Sequence, residues 1–226
     1  WCCFQHKDGT WYIYSPKTGT ILDSIYKIHE FVHYIINTAP TMLEENIYAL
    51  KELPSLFFEG LMRRFLIDKG YSEEDIEKDK LSRELGISKM SSSLLDILFY
   101  VEEISNGERI TFEQELMKQE EIKKLYKKLE PDQEISLDSL KENVLWTAKN
   151  SIEELIEDPL FVEETYPYII GYKYSEILLK RARQDKNVIA NMIDIIPEIK
   201  TLTTTESLNR LGLILPVEKA SKQSNK

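Results

Sequence analysis

Two of the three histidines in this chain, His29 and His33, lie four positions apart, and a glutamate, Glu30, directly follows the first. In a helix, residues i and i+4 share one face and lie about 6 Å apart along the axis. Two imidazoles on one face can bind one Zn²⁺ ion through nitrogens at about 2.0–2.1 Å. The intervening glutamate can then take a proton from a water molecule that zinc activates and pass it to a leaving amine. The pattern favours zinc-dependent hydrolysis of an amide bond.

Two histidines leave a zinc ion short of a third protein ligand, which an acidic residue of a following helix can supply. Glu52 and Glu59 are seven residues apart, so in a helix they share one face over two turns. One can bind the metal while the other orients a ligand. Spacing does not decide between them, and both can also be solvated glutamates in a chain with 39 acidic residues. Glu44 and Glu45 are weaker candidates because they lie nearer the predicted interhelical turn.

The segment that carries the two histidines is predicted to be a helix next to a short β element. Apolar residues recur at helical spacing over 21–37. Thr20, followed three residues later by Asp23, resembles a capping box at the start of this helix. The aromatic and β-branched residues of 9–16 predict a strand or hairpin directly before it.

The rest of the chain is predicted to be mainly helical. Residues 41–70 predict a second helix, which Pro54 interrupts or restarts. Further helices are predicted from 72 onwards and at 91–104, 112–129, 137–157, 160–184, 186–196 and 205–211. The tail at 217–226, rich in Lys, Ser and Gln, is predicted to be disordered. We therefore expect a mainly α fold with one short N-terminal β element.

Composition limits the partners that we expect. The net charge is −10, from 39 acidic and 29 basic residues, which argues against a nucleic-acid binder. The apolar runs are too short for a transmembrane helix, so no membrane partner is expected. The adjacent Cys2 and Cys3 cannot bridge without severe strain, and no signal peptide is visible. These features favour a cytoplasmic protein.

The motifs around the histidines together resemble the thimet oligopeptidase and oligoendopeptidase F family of zinc metallopeptidases. In that family the active-site helix follows a T-G-T sequence and an aspartate, which here are residues 18–20 and Asp23. Residues 52–55, Glu-Leu-Pro-Ser, are similar to the E-x-P-S sequence of the family, and Glu59 follows at the same spacing as its second glutamate. The resemblance implies one Zn²⁺ per chain, with Glu52 as the third ligand and Glu59 hydrogen-bonded to a ligating histidine.

A third motif, Tyr166-Pro-Tyr168-Ile-Ile-Gly171-Tyr172, is similar to the aromatic Y-x-Y-x-x-G-[FY] segment of oligoendopeptidase F. The resemblance implies that tyrosines of this segment face the scissile carbonyl. A phenol there can donate a hydrogen bond to the developing oxyanion. Ordinary packing is the alternative in a chain with 12 tyrosines, and the motif does not say which tyrosine contacts the substrate.

The predicted strand resembles the edge strand that flanks the substrate in this family. The resemblance implies that Trp11, Tyr12 and Ile13 bind an extended oligopeptide through main-chain hydrogen bonds. It also implies a zincin-like helical catalytic domain over 1–216, which we expect to be the C-terminal part of a longer chain.

The sequence departs from the family pattern in the neighbourhood of the motifs. Val32 stands where the family usually has glycine, Ile36 replaces a further histidine, and no histidine follows His33. The leading hypothesis is a zinc metalloendopeptidase that hydrolyses oligopeptides with Glu30 as the general base. The alternative is a degenerate, zinc-binding and catalytically weak peptide-binding module. A helical interaction protein with a chance H-E-x-x-H sequence is the third hypothesis.

Overall fold

The computed structural model describes residues 2–15, 18–39, 50–105, 120–125, 127–128 and 160–213. In these residues the chain is mainly helical, with a two-stranded antiparallel hairpin at the start, as the sequence predicts. The elements are β1 (Cys2–Gln5), β2 (Trp11–Tyr14), α1 (Leu22–Thr38), α2 (Glu52–Asp68), α3 (Glu73–Ser105), α4 (Leu160–Ala182), α5 (Asn187–Ile195), a 3-10 turn (Ile196–Glu198) and α6 (Thr204–Arg210).

The hairpin packs against α1, the helix that carries both histidines. Cys2 lies opposite Tyr14 and Gln5 lies opposite Trp11. Gly9 turns the chain between the strands with a φ of +85°, a conformation that favours glycine. The predicted strand at 9–16 contains β2, whereas β1 was not predicted because its short, cysteine-rich sequence has no clear alternation.

The turn before α1 is fixed by Asp23, but not as a capping box. The backbone N–H groups of Thr18 and Gly19 and the hydroxyl of Thr18 donate to the Asp23 carboxylate. The N-cap residue is Ile21, and no side chain caps the helix. The prediction of a Thr20 capping box is therefore wrong. Asp23 lies inside the first turn and its carboxylate reaches back to Thr18 and Gly19 of the preceding loop.

Helix α2 packs between α1 and α4 and forms much of the main core. It begins at Glu52, so Pro54 lies in its first turn, where a missing N–H costs no helical hydrogen bond. Of the two predicted alternatives, a start of the helix next to Pro54 fits the structure and an interruption does not, and 41–49 lie outside the described residues. The buried apolar side chains of the core include Val32, Ile36, Leu53, Phe57, Leu178, Met192, Ile195 and Leu208.

Helix α3 is continuous over Glu73–Ser105, where the sequence predicts two separate helical segments. Gly86 and the serines at 91–93 are weak helix formers near their junction, but a single glycine costs only about 1 kcal/mol relative to alanine in a helix and a serine costs less. The predicted helix at 137–157 and the tail at 217–226 lie outside the described residues, as does most of 112–129. None of the helices that the structure describes is both long enough and apolar enough to cross a membrane.

Candidate metal centre

Three side chains that can bind a metal ion meet between α1 and α2. They are His29 and His33 of α1 and Glu52, the first residue of α2. The two Nε2 atoms lie 3.0 Å apart. Oε2 of Glu52 lies 3.4 Å from Nε2 of His29 and 3.2 Å from Nε2 of His33. The three donor atoms therefore form a nearly equilateral triangle.

The size of this triangle fits a zinc ion. Bonds of about 2.0–2.1 Å at tetrahedral angles place ligand atoms about 3.3–3.4 Å apart. The observed separations are 3.0, 3.2 and 3.4 Å. Two imidazole nitrogens and one carboxylate oxygen are also a donor set that catalytic zinc uses. A cation between the three donor atoms can bind all three lone pairs at once. A single proton between the two facing nitrogens can be shared only by those two nitrogens.

The ligand triangle is buried on one side and accessible on the other. The side chains of His29 and Glu52 are each 4% exposed, whereas that of His33 is 16% exposed. Electrostatic interactions between the buried groups are stronger than they would be in water. Of the three candidate ligands, His33 is therefore the least covered.

The carboxylate of Glu52 and the imidazoles of His29 and His33 stabilise each other's charged forms. Burial alone raises the pKa of Glu52, but hydrogen bonds and charges from His29 and His33 outweigh it and lower this pKa to about 2. Burial alone lowers the pKa of His29, but its contacts with Glu52 and Glu59 raise this pKa to about 9. Glu52 is therefore ionised at neutral pH, and a metal ion that binds here must displace a proton from His29.

Glu59 lies two helical turns after Glu52 and contacts the other ring nitrogen of His29. Its Oε1 atom is 2.7 Å from Nδ1 of His29, and the residue is completely buried. The N–H bond does not point straight at this oxygen, so the contact is a close ion pair and not an aligned hydrogen bond. Carboxylates at this position orient metal-ligating histidines. The structure thus places Glu52 at the ligand triangle and Glu59 behind it.

Two arginines that the sequence analysis did not single out hold Glu59 in place. Nη2 of Arg63 donates to Oε2 at 3.0 Å, and Nη2 of Arg83 donates to Oε1 at 2.5 Å. Arg63 follows Glu59 by four residues on α2, so an i,i+4 ion-pair pattern was present in the sequence. Arg83 comes from α3, and no local pattern connects it to Glu59.

The structure separates the three candidate tyrosines. The ring of Tyr168 lies parallel to that of His29, with an interplanar angle of 5° and 6.4 Å between the ring centroids. Tyr166 is 47% exposed. Tyr172 lines a groove between α2, α3 and α4 that is also lined by Arg63. Of the three, Tyr168 is the one placed against a histidine of the ligand triangle.

Glu30 is buried on α1, with 8% of its surface exposed, and its charge acts on Tyr168. Burial raises the pKa of Tyr168, and the negative charges of Glu52 and Glu30 raise it further. The phenol is therefore protonated at neutral pH and can donate a hydrogen bond. Tyr168 thus lies within electrostatic reach of both Glu30 and Glu52, one of the three residues of the ligand triangle.

Gly171 sets the distance between α4 and the start of α2. A Cβ atom at this position would lie 2.9 Å from the backbone nitrogen of Leu53 and 3.0 Å from the carbonyl carbon of Glu52. Both atoms belong to the backbone of α2 and cannot turn away. The absence of a side chain at Gly171 therefore lets α4 approach closely enough to bring Tyr168 next to His29.

Replacing Gly171 with alanine should push α4 and α2 apart and move Glu52. We expect a loss of stability of about 1–3 kcal/mol from overpacking, together with weaker zinc binding. Gly86→Ala is the matched control because a Cβ there meets nothing within 4 Å, and it should stabilise the chain by up to about 1 kcal/mol. Urea unfolding and zinc titration of both variants measure these effects. If Gly171→Ala has the same free energy of unfolding and the same zinc affinity as Gly86→Ala, close packing at Gly171 does not position α4.

Strand β2 lies beside the helix of the ligand triangle. Trp11 and Ile13 are half-buried, and Tyr12 is 45% exposed. Within the described residues β2 pairs only with β1, so its other edge has main-chain groups without a strand partner there. Glu44 and Glu45, the weaker candidates for the third ligand, lie outside the described residues.

No protein-family model matches this chain, and no curated protein or solved structure matches it either.

Proposed function

We propose that this protein is a zinc-dependent metalloendopeptidase that hydrolyses oligopeptides. The observation that carries the proposal is the triangle of His29, His33 and Glu52, whose sides fit zinc, with Glu30 on the same helix. The motif resemblance to thimet oligopeptidase and oligoendopeptidase F supports the same activity and a zincin-like helical domain. It also supports the assignment of Glu52 as ligand and Glu59 as the residue that orients His29.

The chain's own residues account for the proton transfers of the reaction. Zinc, when bound, lowers the pKa of a water molecule and polarises a peptide carbonyl. Glu30 accepts one proton from the attacking water and delivers it to the amide nitrogen as the C–N bond breaks. Tyr168 donates a hydrogen bond to the carbonyl oxygen as negative charge develops on it. The buried surroundings of these groups strengthen each interaction.

The N-terminal hairpin supplies a surface for the substrate. An extended peptide can add to the edge of β2 through main-chain hydrogen bonds. These bonds do not depend on the peptide's side chains, so they suit oligopeptides of varied sequence. Trp11, Tyr12 and Ile13 then flank the bound peptide, close to the helix of the ligand triangle.

A second candidate function is a zinc-binding but catalytically weak peptide-binding module. The observation that favours it is the absence of any histidine after His33, since the resembled family has one near the C-terminal tyrosines. The two functions share the zinc site and differ only in turnover.

Zinc content and peptide cleavage test the proposal. The purified chain should hold one zinc ion by elemental analysis and should cleave a quenched fluorescent peptide library. A chelator should abolish cleavage, and added zinc should restore it. Zinc far below one per chain would overturn both candidate functions, whereas one zinc per chain without cleavage would favour the peptide-binding module.

Replacing Tyr168 with phenylalanine should lower kcat by about 10²-fold, the usual cost of one lost oxyanion donor. KM and zinc content should change little, because the ring stays in place beside His29. Tyr166→Phe is the matched control, since Tyr166 is 47% exposed, and it should retain wild-type kcat. Steady-state kinetics on one fluorescent peptide gives both constants. Equal kcat for Tyr168→Phe and wild type would assign the phenol to packing.

A further inference from the structure

Behind the ligand triangle, polar side chains from α1, α2 and α3 form a closed series of contacts, here called the contact ring. The hydroxyl of Tyr26 donates to Oδ1 of Asp79 at 2.8 Å. Oδ2 of Asp79 accepts from Nε and Nη2 of Arg63 at 3.1 and 2.8 Å. Arg63 donates to Glu59, and Glu59 contacts His29. Because Tyr26 lies three residues before His29, the contact ring starts and ends on the metal-binding face of α1.

Arg83 joins the contact ring at the point where Glu59 meets His29. It donates to Oε1 of Glu59, the oxygen that lies 2.7 Å from Nδ1 of His29. Arg63 donates to the other oxygen, Oε2. One arginine on each oxygen holds the plane of the carboxylate. Without Arg83, the carboxylate can rotate and carry Oε1 away from His29.

The surroundings of Arg83 keep its guanidinium in this position. The guanidinium carbon lies 5.7 Å from the centre of the Tyr26 ring, an arrangement that favours a cation–π interaction. Glu59 is 0% exposed, so its charge needs partners that hold it in place. The contact with the Tyr26 ring holds Arg83 to α1, and the ion pair with Glu59 holds it to α2.

We propose that Arg83 is a positioning residue for the metal centre, which acts on His29 through Glu59. The inference depends on the proposed function because it concerns the zinc affinity of the His29, His33 and Glu52 triangle. Removal of Arg83 can raise or lower the zinc affinity, and the direction distinguishes charge repulsion from positioning. Removal of a nearby cation favours zinc binding by Coulomb's law alone, whereas loss of a positioning residue weakens it. Weaker zinc binding after removal of Arg83 therefore indicates positioning.

Zinc affinity of the full chain, measured by competition with a chromogenic chelator, tests the proposal. Arg83→Met should bind zinc about 10-fold or more weakly, as for other residues that orient metal ligands. Arg83→Lys keeps the charge but loses the planar guanidinium over the Tyr26 ring, so its zinc affinity should fall between those of wild type and Arg83→Met. Arg64→Met removes the same charge from an exposed position on α2 and should not weaken binding.

Three further variants separate positioning from a general effect on folding. Tyr26→Phe keeps size and charge but removes the hydrogen bond to Asp79, and it should weaken zinc binding by a few-fold. Tyr34→Phe, on the same helix but outside the contact ring, should not. In a Glu59→Gln background, Arg83→Met should change the zinc affinity by no more than about twofold, because the negative charge that binds both Arg83 and His29 is already gone.

The outcomes are distinct. Zinc binding by Arg83→Met that equals or exceeds that of wild type would overturn the positioning role and leave the proposed function intact. The positioning role would also be overturned if the losses of zinc-binding free energy from Arg83→Met and Glu59→Gln simply add in the double variant. Tight zinc binding by wild type without peptide cleavage would overturn the proposed activity and leave the positioning role to be judged by the variants. A wild type that binds no zinc would overturn both.

Discussion

Glu30→Gln should lower kcat for peptide cleavage by roughly 10³-fold while leaving one zinc ion per chain. Glutamine has the size and shape of glutamate but cannot accept a proton from water at neutral pH. Glu30 is not part of the ligand triangle, so the metal should remain. Elemental analysis and single-peptide kinetics on the same preparation measure the two effects separately.

The control for Glu30→Gln is the same substitution at Glu77, an exposed residue of α3. Glu77→Gln should cleave the peptide at the wild-type rate, which excludes a general effect of the lost charge. If Glu30→Gln cleaves as fast as wild type, another group is the base. If it loses zinc, Glu30 has a role in metal binding that the ligand triangle does not include.

Glu52→Gln should weaken zinc binding by more than about 100-fold, beyond the range expected for residues that only orient a ligand. The amide of glutamine is neutral and a poor zinc ligand, so two histidines would be left to hold the ion. The loss of zinc affinity also reduces the amount by which zinc raises the free energy of unfolding. At free zinc 100 times the wild-type Kd, zinc stabilises wild type by about 2.7 kcal/mol and a 100-fold weaker variant by about 0.4 kcal/mol.

Glu59→Gln is the comparison that makes this test decisive. Among the three candidate ligands Glu59 contacts only His29, at the ring nitrogen that faces away from the ligand triangle, so its loss should cost about 10–100-fold in zinc affinity. Chelator competition and thermal unfolding at fixed free zinc rank the two variants. A greater loss in Glu59→Gln than in Glu52→Gln would reverse the roles of the two glutamates.

Several features of this centre follow from sequence alone because they are local. His29 and His33 are four residues apart on a helix, and helical geometry then brings their side chains together whatever the rest of the chain does. The periodic apolar residues of 21–37 predict that helix, which the structure has as Leu22–Thr38. The mainly α fold and the short β element were predictable for the same reason.

Local patterns also misled where a residue acts outside its own helix. Asp23 has the spacing of a capping residue, but its carboxylate binds the preceding loop at Thr18 and Gly19. For Pro54 the sequence left two alternatives open, an interrupted or a restarted helix, and the structure has Pro54 in the first turn of α2. In both cases the path of the neighbouring chain, which the local pattern does not contain, selects the outcome.

Tertiary packing decided the rest of the candidate centre. Glu52 and Glu59 share a helix face, and the way α2 crosses α1 places the first at the ligand triangle and the second behind His29. The close approach at Gly171 places Tyr168, and not Tyr166, next to His29. Arg83 reaches Glu59 from α3, across 24 residues of sequence. Contacts between helices depend on how whole surfaces fit together, and the spacing of residues along one helix does not encode that fit.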